Sequence, residues 1–306
     1  MKVKDKREAV AATSINEERV AAGFKRLTDS YVLNNGVEIP AVGFGTWQIA
    51  DGDDAYNSVR VALETGYRHI DTAAGYGNEE SVGRAIADSG IAREEIFVTT
   101  KLRNSDRGYE VTKAAFEESM GKLGLDYLDL WLIHWPNPIT SRANWAEANA
   151  ESWRAFEEFY EAGRLRALGI SNFRPHHIEA LLKTARVVPQ VNQIRICPGD
   201  IHVETHEFCR RQNILLEAYS PLGTGKIGEI ELLDTIGKKY GKTAAQIALI
   251  WSLQRGFLPL PKSVTPSRIR ENADIFDVRL TAEEMEQINA LDGVIGTARD
   301  PDTITW

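Results

Sequence analysis

Between residues 41 and 291 the chain alternates short runs of β-branched, aromatic and leucine side chains with stretches whose apolar residues recur at helical spacing. The runs fall at 41–44, 68–71, 96–100, 128–133, 165–170, 188–193, 214–220 and 257–261. The helical stretches fall at 53–65, 78–88, 109–123, 147–162, 175–185, 203–211, 229–254 (interrupted at Gly241), 266–273 and 281–291. Several runs are continuously apolar rather than alternating, the pattern of parallel strands buried on both faces. Eight strand–helix units over about 240 residues fit an α/β chain closed into a (β/α)8 TIM barrel, a fold that carries its site at the C-terminal strand ends. An open doubly wound sheet is the main competing architecture.

With 306 residues and 43% hydrophobic side chains, the chain can bury a large core. Residues 1–28 form an extension expected to be a surface helix or a frayed tail, and residues 29–306 are expected to make one barrel domain. Asn35-Gly36, set between apolar flanks, signals a type I′ hairpin ahead of the barrel. The net charge of −8 gives no footprint for nucleic acid, and any anionic ligand needs a locally basic pocket. No apolar run is long enough to cross a bilayer, so no membrane partner is expected. The two cysteines, Cys197 and Cys209, lack CxxC spacing, and no secretory apolar region follows "MKVKDKREAV". Together these predict a cytoplasmic protein, taken to be a monomer.

A barrel is tested by what closes its strands. In order, the runs end in Gly45-Thr46-Trp47, Asp71, Lys101, His134-Trp135, Ser171-Asn172, Gln193, Tyr219-Ser220 and Lys262-Ser263. One polar strand end is ordinary loop chemistry. An Asp, a Lys and a His on three consecutive ends, with Tyr76 in the loop between the first two, form a coherent set. A phenol with a reference pKa of about 10 is a poor acid at neutral pH, and a nearby ammonium lowers that value toward about 7. Lys101 supplies the charge, Asp71 holds Lys101 and offsets the cost of burying it, and His134 can share a proton with the phenol or with a carbonyl oxygen. Such a tyrosine suits general-acid work on a small carbonyl compound. Trp47 and Trp135 flank the quartet and are expected to line a substrate site with Tyr76 and His134; Trp145 and Trp306 are weaker candidates.

From residue 31 onward the chain resembles the aldo-keto reductase superfamily. The likeness is carried by "GFGTW", "GYRHIDTAAGYGNE", "TTKL", "LIHWP", "GISNF", "QVNQI", "AYSPLGTG" and "PKSVTPSRIREN", and has the feel of the bacterial diketogluconate reductase-like members. It implies a barrel that reduces aldehydes and ketones with NADPH, and a catalytic tetrad of Asp71, Tyr76, Lys101 and His134 with the tyrosine as proton donor. It further implies that Ser171, Asn172 and Gln193 hold the nicotinamide carboxamide and that Tyr219 stacks on the ring. Gly45, Thr46 and Trp47 would border the cofactor, and Ser220, Leu222 and Gly223 would contact its pyrophosphate. The segment holding Lys262, Ser263, Val264, Thr265, Arg268, Glu271 and Asn272 would take the adenosine 2′-phosphate. The charge pattern agrees, since Lys262 and Arg268 beside a helix start at Thr265-Pro266 suit a dianion.

Other patterns lead elsewhere. "GTGKIG" (223–228) matches the glycine fingerprint of dinucleotide-binding folds, but it comes after the seventh strand, beyond Pro221, with no acidic residue closing a following strand at the usual distance. His202, His206 and Cys209 share one helical face at i, i+4 and i+7, yet read as a helix surface with one buried cysteine rather than a zinc site, so no metal is expected. Arg195 and Cys197 depart from the family pattern after the glutamine, and Arg195 is expected to alter charge at the barrel rim. Two alternative functions share the fold. A Schiff-base aldolase would use Lys101 as nucleophile, and a regulatory subunit would bind cofactor without turnover.

Overall fold

The computed structural model describes residues 6–306, with side chains from position 12 onward. Helix α1 (Lys6–Ala22) precedes the hairpin β1 (Ser30–Val32) and β2 (Glu38–Pro40). Eight parallel strands follow in chain order: β3 (Phe44–Gly45), β4 (His69–Asp71), β5 (Phe97–Leu102), β6 (Leu128–Ile133), β7 (Leu165–Ser171), β8 (Val191–Arg195), β9 (Leu215–Tyr219) and β10 (Leu258–Leu260). Each pairs with its sequence neighbour. Backbone hydrogen bonds from Gly43 N to Pro259 O (3.1 Å) and Gly45 N to Pro261 O (3.0 Å) join the first strand to the last, so the sheet closes into a barrel.

The outer helices are α2 (Asp53–Thr65), α3 (Glu79–Ala87), α4 (Tyr109–Leu123), α5 (Trp145–Glu161), α6 (Pro175–Leu182), α7 (Val203–Arg211), α8 (Glu231–Tyr240), α9 (Ala244–Gln254), α10 (Pro266–Ala273) and α11 (Ala282–Asn289). Their ends follow local chemistry. Pro175 and Pro266 open α6 and α10 at positions where a missing N–H costs nothing, and Thr243 and Thr281 build capping boxes on α9 and α11. The core lies between these helices and the sheet, where Trp131, Trp153, Phe116, Phe156 and Trp251 are fully buried. Gly43 is required inside the barrel: a Cβ there would lie 2.5 Å from Leu260 Cδ2 and 2.7 Å from His69 Nδ1.

The hairpin covers the N-terminal end of the barrel. Asn34 Nδ2 donates to Pro189 O and Asn213 O, Asn35 Nδ2 to Arg166 O, and Tyr31 OH to Phe257 O. All four acceptors lie at or just before strand starts, so this end is sealed and the opposite end is left for a ligand. The turn is not type I′. Gly36 N donates to Leu33 O at 2.8 Å, and only Gly36 has positive φ (85°), which places the glycine at a bulge after a turn centred one residue earlier than Asn35-Gly36.

Within the extension, helix α1 docks on that hairpin, and residues 1–5 lie outside the described residues. Asn16 makes paired 2.8 Å bonds with the backbone N–H and C=O of Val32, as a neighbouring strand would, and Arg19 donates to Ser30 O. No described helix is long and apolar enough to cross a membrane.

Candidate active site

The four residues singled out on the strand ends come together at the open end. Asp71 closes β4, Tyr76 closes a 3-10 turn (Ala74–Tyr76), and His134 follows β6. Lys101 lies inside β5 rather than beyond it, because that strand runs on to Leu102. Lys101 Nζ donates to Asp71 Oδ1 at 2.6 Å and to Thr72 O at 2.9 Å, and lies 4.9 Å from the Tyr76 ring centre. The Tyr76 and His134 rings meet edge to face with centroids 5.7 Å apart. Asn78 holds the tyrosine loop in place, accepting from Thr72 Oγ1 (2.7 Å) and donating to Thr46 O (3.1 Å) and Ile49 O (3.0 Å).

Burial sets the electrostatics. It works against the Lys101 ammonium, but Asp71 and the Tyr76 phenol outweigh it and hold the lysine above its ordinary range. His134 is driven well below its usual value by burial, then by Lys101 and Arg107, so it is a neutral imidazole. Tyr76 departs from the sequence expectation. Burial raises its pKa more than the Lys101 charge lowers it, with Asp71 adding to the rise, so the phenol keeps its proton through neutral pH. The ammonium limits the penalty on the phenolate without making the phenol acidic.

A second group of polar residues lies across the mouth. Asn172, at φ 63°, donates to His134 O (3.0 Å) and accepts from Tyr219 OH (2.8 Å). Ser171 Oγ donates to Gln193 O at 2.7 Å. Gln193 Nε2 donates to Asp71 Oδ2 and to Glu217 Oε2, both at 2.8 Å, which commits both amide hydrogens and leaves only Oε1 to meet a ligand. Ser220 (φ 48°) and Gln48 (φ 60°) are also in the left-handed region. Such strain at strand ends is characteristic of sites where position matters more than backbone comfort. Gly45 passes so close to β10 that a Cβ would sit 3.3 Å from Leu260 O, and Thr46 is fixed by 3.0 Å bonds from its N and Oγ1 to Asp71 O.

After β10, Ser263 Oγ accepts from Thr265 N at 3.0 Å just ahead of α10. Among the described ion pairs Lys262 and Arg268 have no carboxylate partner. Two unmatched cations at a helix start fit a phosphate dianion. Val264 is exposed and Asn272 buried, while Glu271 accepts from Thr243 Oγ1 at 2.7 Å. Leu222 and Gly223 open the 3-10 segment Gly223–Glu229, where "GTGKIG" forms no βαβ phosphate turn.

The tryptophans separate. Trp47 is 46% exposed and Trp135 8%, and Trp306 meets Trp135 edge to face at 5.8 Å with Arg299 over its ring at 4.6 Å. Trp145 packs on His177 instead (5.0 Å), away from the quartet. Arg195 brings no free charge to the rim. It pairs with Asp200 and donates to Gly296 O (2.9 Å) and Ile295 O (3.4 Å), tying the C-terminal segment to β8.

His202, His206 and Cys209 do not converge on a common point. His202 caps α7 beside Asp200 (3.1 Å), His206 meets the Phe257 ring, and Cys209 is buried against Asn192. The one described cluster with metal-ligand atoms close together is His176, His177 and Asp302. There His177 Nδ1 accepts from Arg174 N, so Nε2 carries the proton it shares with Asp302, and the cluster reads as a latch on the C-terminal segment.

Sequence reasoning passed over Thr72, Asn78, His69 and Glu217. For Glu217 a signal existed: a charged residue on the same strand face as Leu215 and Tyr219, within a run otherwise apolar.

Residues 41–293 match the Aldo/keto reductase family model, and the chain belongs to that family. It is 46% identical over 280 residues to the glyoxal reductase of Bacillus subtilis (strain 168), covering 92% of this chain and 99% of that protein. It is 45% identical over 273 residues to the 9,11-endoperoxide prostaglandin H2 reductase of Trypanosoma cruzi (strain CL Brener), covering 88% and 94%. Among solved structures, the aldo-keto reductase MGS-M4 from a Medee basin deep-sea metagenome library superposes with a TM-score of 0.84 at 45% identity, covering 90% of this chain and 99% of that one. A Gox0644 mutant in complex with NADPH superposes with a TM-score of 0.84 at 36% identity, covering 91% and 99%.

Proposed function

We propose that the protein reduces small aldehydes and ketones to alcohols with NADPH, with Tyr76 as the general acid. The observation that carries this reading is the buried Lys101–Asp71 pair (2.6 Å) set against a protonated Tyr76 beside a neutral His134. That pair places a cation beside the phenol, whose oxygen would take on negative charge as it passes its proton to a carbonyl oxygen receiving hydride. His134, uncharged, donates or accepts at the same oxygen without competing as the stronger acid. Family membership and relatives described as reductases support the reaction class.

NADPH, when bound, supplies the hydride. Lys262 and Arg268 would hold its 2′-phosphate, Ser263, Val264, Thr265, Glu271 and Asn272 would border it, and Ser220, Leu222 and Gly223 would approach the pyrophosphate. Asn172, Ser171 and Gln193 would orient the carboxamide, with Tyr219 on the ring and Gly45, Thr46 and Trp47 along its edge. The Oε1 of Gln193 suits that role because a carboxamide offers it N–H donors. Trp47 and Trp135 make the walls of a compact, apolar substrate site with Tyr76 and His134 at its floor.

A Schiff-base reading of Lys101 is not favoured. A nucleophilic lysine must be neutral, whereas this one is held charged by Asp71 and donates to Thr72 O.

The deciding experiment follows NADPH oxidation across aldehydes, dicarbonyls such as glyoxal, and keto sugars. Turnover with at least one class is expected. Tight NADPH binding with no turnover across the panel would sink the reading in favour of a regulatory role.

A further inference from the structure

Beneath the quartet the barrel interior holds a second acid that the proposed reaction does not use. Glu217, on β9, is fully buried and faces Gln193 across the β8–β9 ladder. A single amide nitrogen bridges two carboxyl groups here, at 2.8 Å to Asp71 Oδ2 and 2.8 Å to Glu217 Oε2. Asp71 Oδ1 receives Lys101. On the far side of Glu217, His69 Nε2 lies 3.9 Å from Oε1 and 3.0 Å from Thr99 Oγ1. Glu217 Oε1 and His69 Nδ1 have no partner of their own.

One lysine cannot match two buried carboxylates without leaving a charge uncompensated. The groups facing Glu217 resolve this. Burial, reinforced by Asp71, pushes Glu217 up to about 8, with Gln193 and Lys101 acting the other way. Burial and Lys101 bring His69 down to about 3, so at neutral pH neither of this second pair is charged. Its neighbour on β10 in the ladder is Leu258, which adds no charge. The Asp71–Lys101 pair is then electrically complete, and the protonated Glu217 serves as a neutral acceptor for the second amide hydrogen.

We propose that Glu217 is a positioning residue of this site: by accepting from Gln193 it fixes the carboxamide so that only Oε1 is offered to the cofactor, and it steadies the Asp71 carboxylate that clamps Lys101. The inference rests on the carbonyl-reductase reading. Loss of the acceptor strands a buried amide hydrogen and frees Gln193 to turn. A second consequence concerns stability. The unfolded chain releases this proton near the ordinary glutamate value of 4.5, whereas the fold keeps it to about 8, so stability falls as pH rises through that window.

The test compares Glu217→Gln, which keeps an acceptor oxygen, with Glu217→Leu, which does not, using the NADPH Kd from fluorescence titration. Glu217→Leu is expected to weaken binding by about tenfold, the scale of one lost hydrogen bond with its orphaned partner, and Glu217→Gln to recover most of it. The Gln193→Leu background supplies the decisive arm. If Glu217 acts through Gln193, adding Glu217→Leu there changes Kd no further, and this double variant, which removes both polar partners, also answers if Glu217→Leu alone does not fold. In the ligand-free protein, Glu217→Gln should flatten the stability loss between about pH 4.5 and 8. Equal affinities for the Leu and Gln variants, additive losses in the double variant, or an unchanged stability slope would overturn the proposal. Turnover by the wild-type enzyme is scored separately, so an enzyme that binds NADPH without reducing carbonyls would defeat the reading and leave the Kd comparison intact.

Discussion

At the scale of single residues, the proposed mechanism turns on a phenol that is kept protonated beside a lysine that is kept charged. Tyr76→Phe removes only the hydroxyl. Carbonyl reduction is expected to fall by at least about a hundredfold while NADPH affinity stays near wild type, and retained turnover would remove Tyr76 from the mechanism. The pH dependence follows from the same phenol. Under the proposed mechanism, reduction needs Tyr–OH and alcohol oxidation needs the phenolate. Because burial raises the Tyr76 pKa above 10 against the pull of Lys101, reduction should be flat through neutral pH and fall only in the alkaline range, where oxidation should rise. Rates measured in both directions, with the chemical step shown to be limiting, check this. Parallel profiles would mean that another group, His134 first, carries the proton. The quartet was legible because its members are chemically out of place at the ends of apolar runs. The direction of the phenol's shift was not, since burial is a property of the assembled mouth and here outweighs the Lys101 charge. Glu217 was passed over for a related reason: its meaning depends on Gln193 and Asp71 meeting it from other strands.

At the scale of elements, helices 53–65, 109–123, 203–211 and 266–273 are legible to the residue because glycines, prolines and acidic first turns mark their ends. Strands are less so. β8 runs 191–195 rather than 188–193, since Val188 and Pro189 lie before the ladder while Ile194 and Arg195 pair with Ala218 and Tyr219. A run of apolar residues tells where a strand can form, and its neighbours decide where pairing begins. The charge of Arg195 was similarly settled by Asp200 and two C-terminal carbonyls that no local pattern announces. For α10 the element itself makes a prediction. Lys262→Ala or Arg268→Ala should raise the Kd of NADPH about tenfold or more and barely change that of NADH, because only NADPH carries the phosphate these cations would meet. Equal losses for both cofactors would show that the phosphate lies elsewhere.

At the scale of the whole molecule, closing the barrel buries histidines as neutral groups in several places, and this governs its response to acid. Burial takes His69 down to about 3 and His177 to about 4, and lowers His134 and His206 as well. The unfolded chain binds these protons near 6.5, before the fold does, so their contribution to stability is complete above that value and is lost as pH falls toward the folded values. Glu217 and Glu79, whose pKa values are raised, act in the opposite sense, but four histidines outweigh two acids between pH 4.5 and 6.5. Stability should therefore peak near neutrality and drop steeply on the acid side. His177 isolates one share. It is buried, donates through Nε2 to Asp302 at 2.9 Å, and so latches the C-terminal segment that carries Trp306 onto α6. His177→Gln keeps a donor close to Nε2 but takes up no proton. The variant is expected to lose less stability than wild type between pH 6.5 and 4, by up to about 3 kcal/mol. Denaturant unfolding at pH 7, 5.5 and 4.5 measures the difference, and identical slopes would mean that His177 does not hold its neutral state in the fold.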